Sequence, residues 1–171
     1  KLDDELKQLA SRNAQLGNTK TMTEEAVIPE RVSTGQVKKL EEIGALPPNL
    51  EKLRRSLLDA SPNIRGSAAN TLGDFQQPEA VALLAAAARD ENEFVRASAV
   101  NSLGRIGSSE ALDFVIVYEK DASEEVRYAV VKALSSSNSD IARECLGRVS
   151  KNDRSKNVKR AARLALEKLN A

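Results

Sequence analysis

The 171 residues combine 41% hydrophobic with 30% charged side chains, a balance that supports one folded domain with a core and excludes a disordered chain. Lysine and arginine number 26 against 25 aspartate and glutamate, which argues against a dedicated nucleic-acid binder. There is no histidine, which removes histidine acid–base catalysis, catalytic triads and histidine metal sites. The single cysteine, Cys145, rules out an intrachain disulfide and points to a reducing, cytoplasmic compartment.

In chain order, residues 1–21 come first. Leu2, Leu6, Leu9, Asn13 and Leu16 alternate four- and three-residue steps, the seam of a short leucine-zipper fragment with a polar Asn at one core position. Barely two heptads long, such a helix needs a surface to dock on. Residues 22–33 read as a polar linker. Met22 is the only methionine, so residues 1–21 are expected to be a fused segment ahead of a natural start, with a chain trimmed at its start as the alternative. Nothing upstream of the repeats reads as a signal peptide, and the longest apolar run, Ala80 to Ala88, is far too short to span a membrane.

From residue 34 to 171 the chain repeats itself. Asp59, Asp90 and Asp121 recur at a step of 31, and Ile64-Arg65, Val95-Arg96 and Val126-Arg127 move with them. A fourth copy, Val158-Lys159, arrives one residue late. Each unit predicts two helices. In the central unit Val95, Ala99, Val100, Leu103 and Ile106 form a helical stripe, Gly104 and Gly107 punctuate its end, and Ser109-Glu110 opens a second helix reaching about Lys120. Upstream, Thr34 to Leu46 and Asn49 to Asp59 form a weaker first pair, with Val37, Leu40 and Ile43 in one helix and Leu50, Leu53 and Leu57 in the other. Downstream, Ser155 to Leu169 is a closing helix. No segment alternates with period two, so no sheet is expected.

The run Asp-x-x-x-x-Val-Arg-x-x-Ala-x-x-x-Leu-Gly followed by Glu-Ala-x-x-x-Leu resembles the short HEAT-like repeats of the phycobilisome-lyase class, over roughly residues 34 to 171. The resemblance implies an all-α solenoid of antiparallel helix pairs. It also implies a family of mixed function: bilin-lyase subunits, antenna-degradation factors, a diiron hydroxylase and plain scaffolds. The hydroxylase depends on paired His-Glu motifs, which a chain without histidine cannot supply. A cyanobacterial light-harvesting setting follows from the resemblance alone.

The residues repeated in every unit, Asp59, Arg65, Asp90, Arg96, Asp121 and Arg127, read as a structural ladder. Each Asp caps the following helix, and each Arg reaches towards a neighbouring unit's loop or carboxylate. Function is sought where the copies differ. The resemblance places the second helix of each unit on the concave face, and two of these helices, 78–89 and 109–120, are apolar nearly all round. Ala82, Ala86, Phe114, Val117 and Tyr118 are left over after the core is assigned. They are expected to floor a groove for an amphipathic helix or peptide, with Arg89, Lys120, Arg148 and Lys151 as charged rim. Residues 1–21 are one candidate occupant.

No catalytic residue, metal site or cofactor is expected, and Cys145, in register with Leu83 and Phe114, reads as a small buried side chain. The leading expectation is a non-catalytic protein-binding scaffold. A bilin-lyase-like factor acting on a phycobiliprotein is the alternative. A third reading, weak binding of nucleic acid or an anionic surface, rests on residues 140–171, which hold nine basic and four acidic side chains.

Overall fold

The computed structural model describes residues 34–170. The zipper-like segment and the linker expected over residues 1–33 lie outside the described residues. Among the described residues nine α-helices follow one another: α1 Thr34–Glu42, α2 Pro48–Ser56, α3 Pro62–Leu72, α4 Pro78–Ala87, α5 Glu93–Ile106, α6 Ser109–Ile116, α7 Glu124–Leu134, α8 Asp140–Asn152 and α9 Lys156–Leu169. A 3-10 turn, Val117–Lys120, extends α6. Among the described residues there is no strand, and no helix is long and apolar enough to cross a membrane.

Local chemistry sets the helix starts. Ser108 and Ser139 accept the N–H of the third residue onward. Asn92, Ser123 and Ser155 accept that of the second, at 3.0 to 3.2 Å. Pro48, Pro62 and Pro78 occupy first helical positions, where the missing N–H costs nothing. Gly107, at φ 65°, ends α5 with a left-handed residue whose N–H bonds back to the Leu103 carbonyl.

The helices stack in two rows, odd-numbered α3, α5, α7 and α9 against even-numbered α2, α4, α6 and α8. One continuous core runs between them, built from Leu50, Leu72, Leu84, Leu103, Val115, Leu134 and Leu146 among others. The all-α solenoid read from the repeats is the fold observed. The rows differ in spacing. Odd helices meet along their length, and a Cβ placed on Gly104 of α5 would lie 2.6 Å from the Ala133 Cα of α7. Successive even helices touch at only a few residues. A stack whose members crowd on one side and splay on the other curves towards the crowded side. The odd row is therefore the inside of the curve.

At the N-terminal end the array is irregular. α1 packs on α4, and the Arg54 guanidinium donates to the carbonyls of Leu40 and Ile43 at 3.3 and 3.4 Å. It is not stacked ahead of α3 in the odd row. Ile64 is consequently 45% exposed, whereas Val95, Val126 and Val158 in the same register are sealed.

Gly147 lies inside α8, where a Cβ would meet no atom within 4 Å. Helix propensity alone decides the outcome there. Gly147→Ala should stabilise the protein by about 0.5–1 kcal/mol, seen as a melting midpoint higher by about 1–4 °C.

Candidate functional site: the inner face of the array

The repeated charges form three bidentate rungs. Arg65 donates through Nε and Nη2 to Asp90 at 2.7 and 2.8 Å. Arg96 grips Asp121 at 3.0 and 2.9 Å, and Arg127 grips Asp153 at 2.8 and 3.2 Å. Nη1 of each arginine donates to two carbonyls of its own unit's loop, Asp59 and Ala60 in the first case. One guanidinium thus fastens the loop before its own helix to the loop of the next unit. The late fourth copy is absorbed here, because Asp153 stands one residue further from Arg127 than Asp90 from Arg65.

The aspartates' expected role as helix caps needs correction. Asp59, Asp90, Asp121 and Asp153 accept the N–H of the residue two ahead, at 2.7 to 2.9 Å. In all four that residue is the helix N-cap, and in the last three its own side chain makes the capping bond. They fix the loop, and the serine or asparagine two places later caps the helix.

Burial would raise the Asp121 and Asp153 carboxyls. The guanidinium and backbone hydrogen bonds outweigh it and hold both below the ordinary aspartate value. The carboxylate hydrogen bond raises Arg65 and Arg96 further above their already high values. These groups stay charged and locked, which suits a strut rather than a reactive centre.

The expected groove floor does not assemble as read. Ala82, Ala86, Phe114, Val117 and Tyr118 all belong to the even row or its 3-10 turn, on the outside of the curve. Ala86 is only 4% exposed and part of the core, because α4 is covered from several sides by small-residue packing. Phe114 and Tyr118 are half-buried against the core. Val117, 74% exposed, is the one member standing free. Burial raises the Tyr118 phenol above its usual value, with nearby Arg89 pulling against it.

Of the expected rim, Arg89, Lys120 and Lys151 are exposed. Arg148 is spent on Glu119, to which its Nε and Nη2 donate at 3.1 and 2.9 Å. Next to them a cleft of about 360 Å³ is lined by Lys120, Arg127, Arg148 and Arg154, but also by Glu119, Asp121 and Asp153. Arg127 pairs there with Asp153 and Arg148 with Glu119, so much of its charge is already engaged.

Cys145 is fully buried, as its register predicts. Its thiol donates to Glu119 Oε2 at 3.1 Å. Burial, and then the neighbouring carboxylate, push the thiol up to about 12. Burial would raise Glu119 too, but the hydrogen bonds from Arg148 and Cys145 keep it below the ordinary value. The folded protein should therefore resist iodoacetamide at pH 8, where an unperturbed thiol reacts. Intact mass should show alkylation only after unfolding.

Two large aromatics were not singled out as site residues from sequence. Phe94, 48% exposed, and Tyr128, 50% exposed, stand on α5 and α7 of the inner row. A Cβ on Gly66 would lie 2.9 Å from Phe94 Cδ1, so the ring lies across α3 where a glycine leaves room for it. The clue was in the register. Phe94 replaces Asn63, Glu125 and Asn157 of the other units, and Tyr128 replaces Gly66, Ala97 and Arg160. Nearby, Arg105 donates to the Asn70 carbonyl and to Asp74 at 3.2 Å, tying α5 to α3 beneath the face. The arrangement offers aromatic area, polar flanks and no reactive constellation. Such a surface can bind and orient a polypeptide.

The family model for HEAT repeats matches residues 46–116 and again 95–167. A search of curated proteins finds no match. Among solved structures, the chain is similar to a chain in the complex of CpcE and CpcF of phycocyanin lyase from Nostoc sp. PCC7120. The identity is 22%, the alignment covers 75% of this chain and 85% of that chain, and the TM-score is 0.60. With helix pairs, ladder and family model coinciding over most of its length, the chain belongs to the HEAT-repeat family.

Proposed function

We propose that this protein is a non-catalytic repeat scaffold that holds a partner helix or peptide along the concave face formed by α3, α5 and α7. The observation that carries the reading is the pair of half-exposed aromatics, Phe94 and Tyr128, on the inner row at positions where the other units carry polar or small residues. Aromatic anchors of this kind dominate binding energy in protein interfaces. Glu124, Glu125, Arg105 and Lys132 around them are exposed charges that set orientation.

The test uses the partner that co-purifies with the wild-type chain. Phe94→Asp and Tyr128→Asp should each weaken its binding about 30-fold, the size of a hot-spot loss, with melting temperature nearly unchanged. Val117→Asp, on the outer row, should leave affinity intact. Equal losses from all three, or none from the two aromatics, would refute the reading.

The likeness to a phycocyanin-lyase complex supports a second reading, a lyase-like factor that works with a partner subunit on a phycobiliprotein. Mixing the chain with phycocyanobilin separates the two. A shifted visible spectrum supports the lyase-like reading, and an unchanged one supports the scaffold.

A further inference from the structure

The last unit departs from the others in a way the scaffold reading does not use. Where α8 ends and α9 begins, Ser150, Lys151, Lys156, Asn157, Lys159, Arg160 and Arg163 line an open cleft of about 610 Å³. It has five cations and no carboxylate in its lining. Upstream, six arginines are answered by carboxylates: Arg54 by Glu51, Arg65 by Asp90, Arg96 by Asp121, Arg105 by Asp74, Arg127 by Asp153 and Arg148 by Glu119. None of the five cleft cations is ion-paired with a described carboxylate.

Register explains how the cleft arises. Lys159 occupies the rung position of Arg65, Arg96 and Arg127, and no described aspartate is ion-paired with it. Arg160 and Arg163 occupy positions that earlier units fill with Gly66, Ala97 and Tyr128, and with Ala69, Val100 and Val131. Those earlier residues are all uncharged, so the charge on this face is particular to the last unit described. Five like charges converging on one hollow repel each other unless an anion joins them.

We propose that this cleft is a binding site for a small multivalent phosphate. Arg160 and Arg163 offer guanidinium forks and the three lysines point charges, the donor set suited to phosphate oxygens.

The full chain, isotope-labelled, is titrated at low salt with inorganic tripolyphosphate. Saturable amide shifts confined to residues 150–163 are expected, and Arg160→Gln with Arg163→Gln should weaken binding about tenfold, two exposed charge contacts being lost. Both side chains are exposed, so an unchanged melting temperature certifies the fold, and Lys151→Gln gives an independent, smaller loss. Citrate of comparable charge should bind distinctly more weakly. Absence of saturation, equal affinity for citrate, or undiminished binding by the double variant would overturn the proposal. So would association with phosphatidylserine vesicles without binding of free tripolyphosphate, which would assign the patch to a membrane surface.

Discussion

Asp90→Ala should cost about 3–5 kcal/mol, the loss seen when one member of a buried ion pair is removed. Both Arg65 and Asp90 side chains are wholly buried. Truncation takes away the acceptor of two guanidinium N–H donors, with only Glu91 Oε1 left at 4.0 Å from Nη2, and the Asn92 N–H loses its acceptor as well. The midpoint should fall by about 6–20 °C for a chain of this size. In a solenoid each unit is held by its neighbours alone, so the loss is local. Hydrogen exchange should accelerate first in α2 to α4, cut off from α5 by the broken rung. Asp121→Ala should cost less, because that rung is partly open to solvent.

Acid should act through the same rungs. Asp121 and Asp153 are held below the ordinary value in the folded state. Their contribution is therefore complete above the unfolded value of about 4 and is lost as pH falls through the folded one. Asp153→Asn should flatten that part of the stability–pH curve.

The second large effect concerns the spacing of the inner row. At Gly104 a methyl group would press on the Ala133 backbone, 2.6 Å from its Cα, and backbone cannot step aside as a side-chain tip can. Overpacking of this kind costs about 1–3 kcal/mol against about 1 kcal/mol gained in helix propensity. Gly104→Ala should lower the melting midpoint, and Ala133→Gly in the same chain should recover part of the loss, a coupling readable by double-mutant cycle. Gly66→Ala gives the contrast. Its obstacle is the half-exposed Phe94 ring, which can swing away. Stability should hardly change, yet partner binding should weaken because an anchor has been displaced.

Much of the architecture was legible in the residues. The 31-residue step, the helix pairs and the pairing of each Arg with a neighbouring unit are all where the repeated Asp and Val-Arg letters put them. Helix phase could be read because it depends on apolar spacing within a dozen residues. The curve could not be read that way. It depends on which row packs closer, and that is set by side-chain volume at Gly66, Gly104 and Ala133 across units. The family resemblance assigned the concave side to the wrong helices, and the candidate residues followed it. The glycines in the Val-Arg helices carried the correct signal, since only small residues let two helix backbones approach so closely. The apolar excess of 78–89 has a different meaning from a groove: Ala80, Leu83, Ala86, Ala87 and Ala88 are all sealed in the core. The 3-10 turn after Ile116 was also unmarked, and it is what turns Val117 outward.

A photo-reactive benzoyl-phenylalanine placed at Tyr128 addresses the binding face directly, with the same residue at Val117 as the outer-row control. On irradiation in the presence of the co-purified partner, mass spectrometry should find an adduct to a polypeptide from position 128 and none from position 117. Adducts from 117 alone, or equally from both, would contradict a concave binding face.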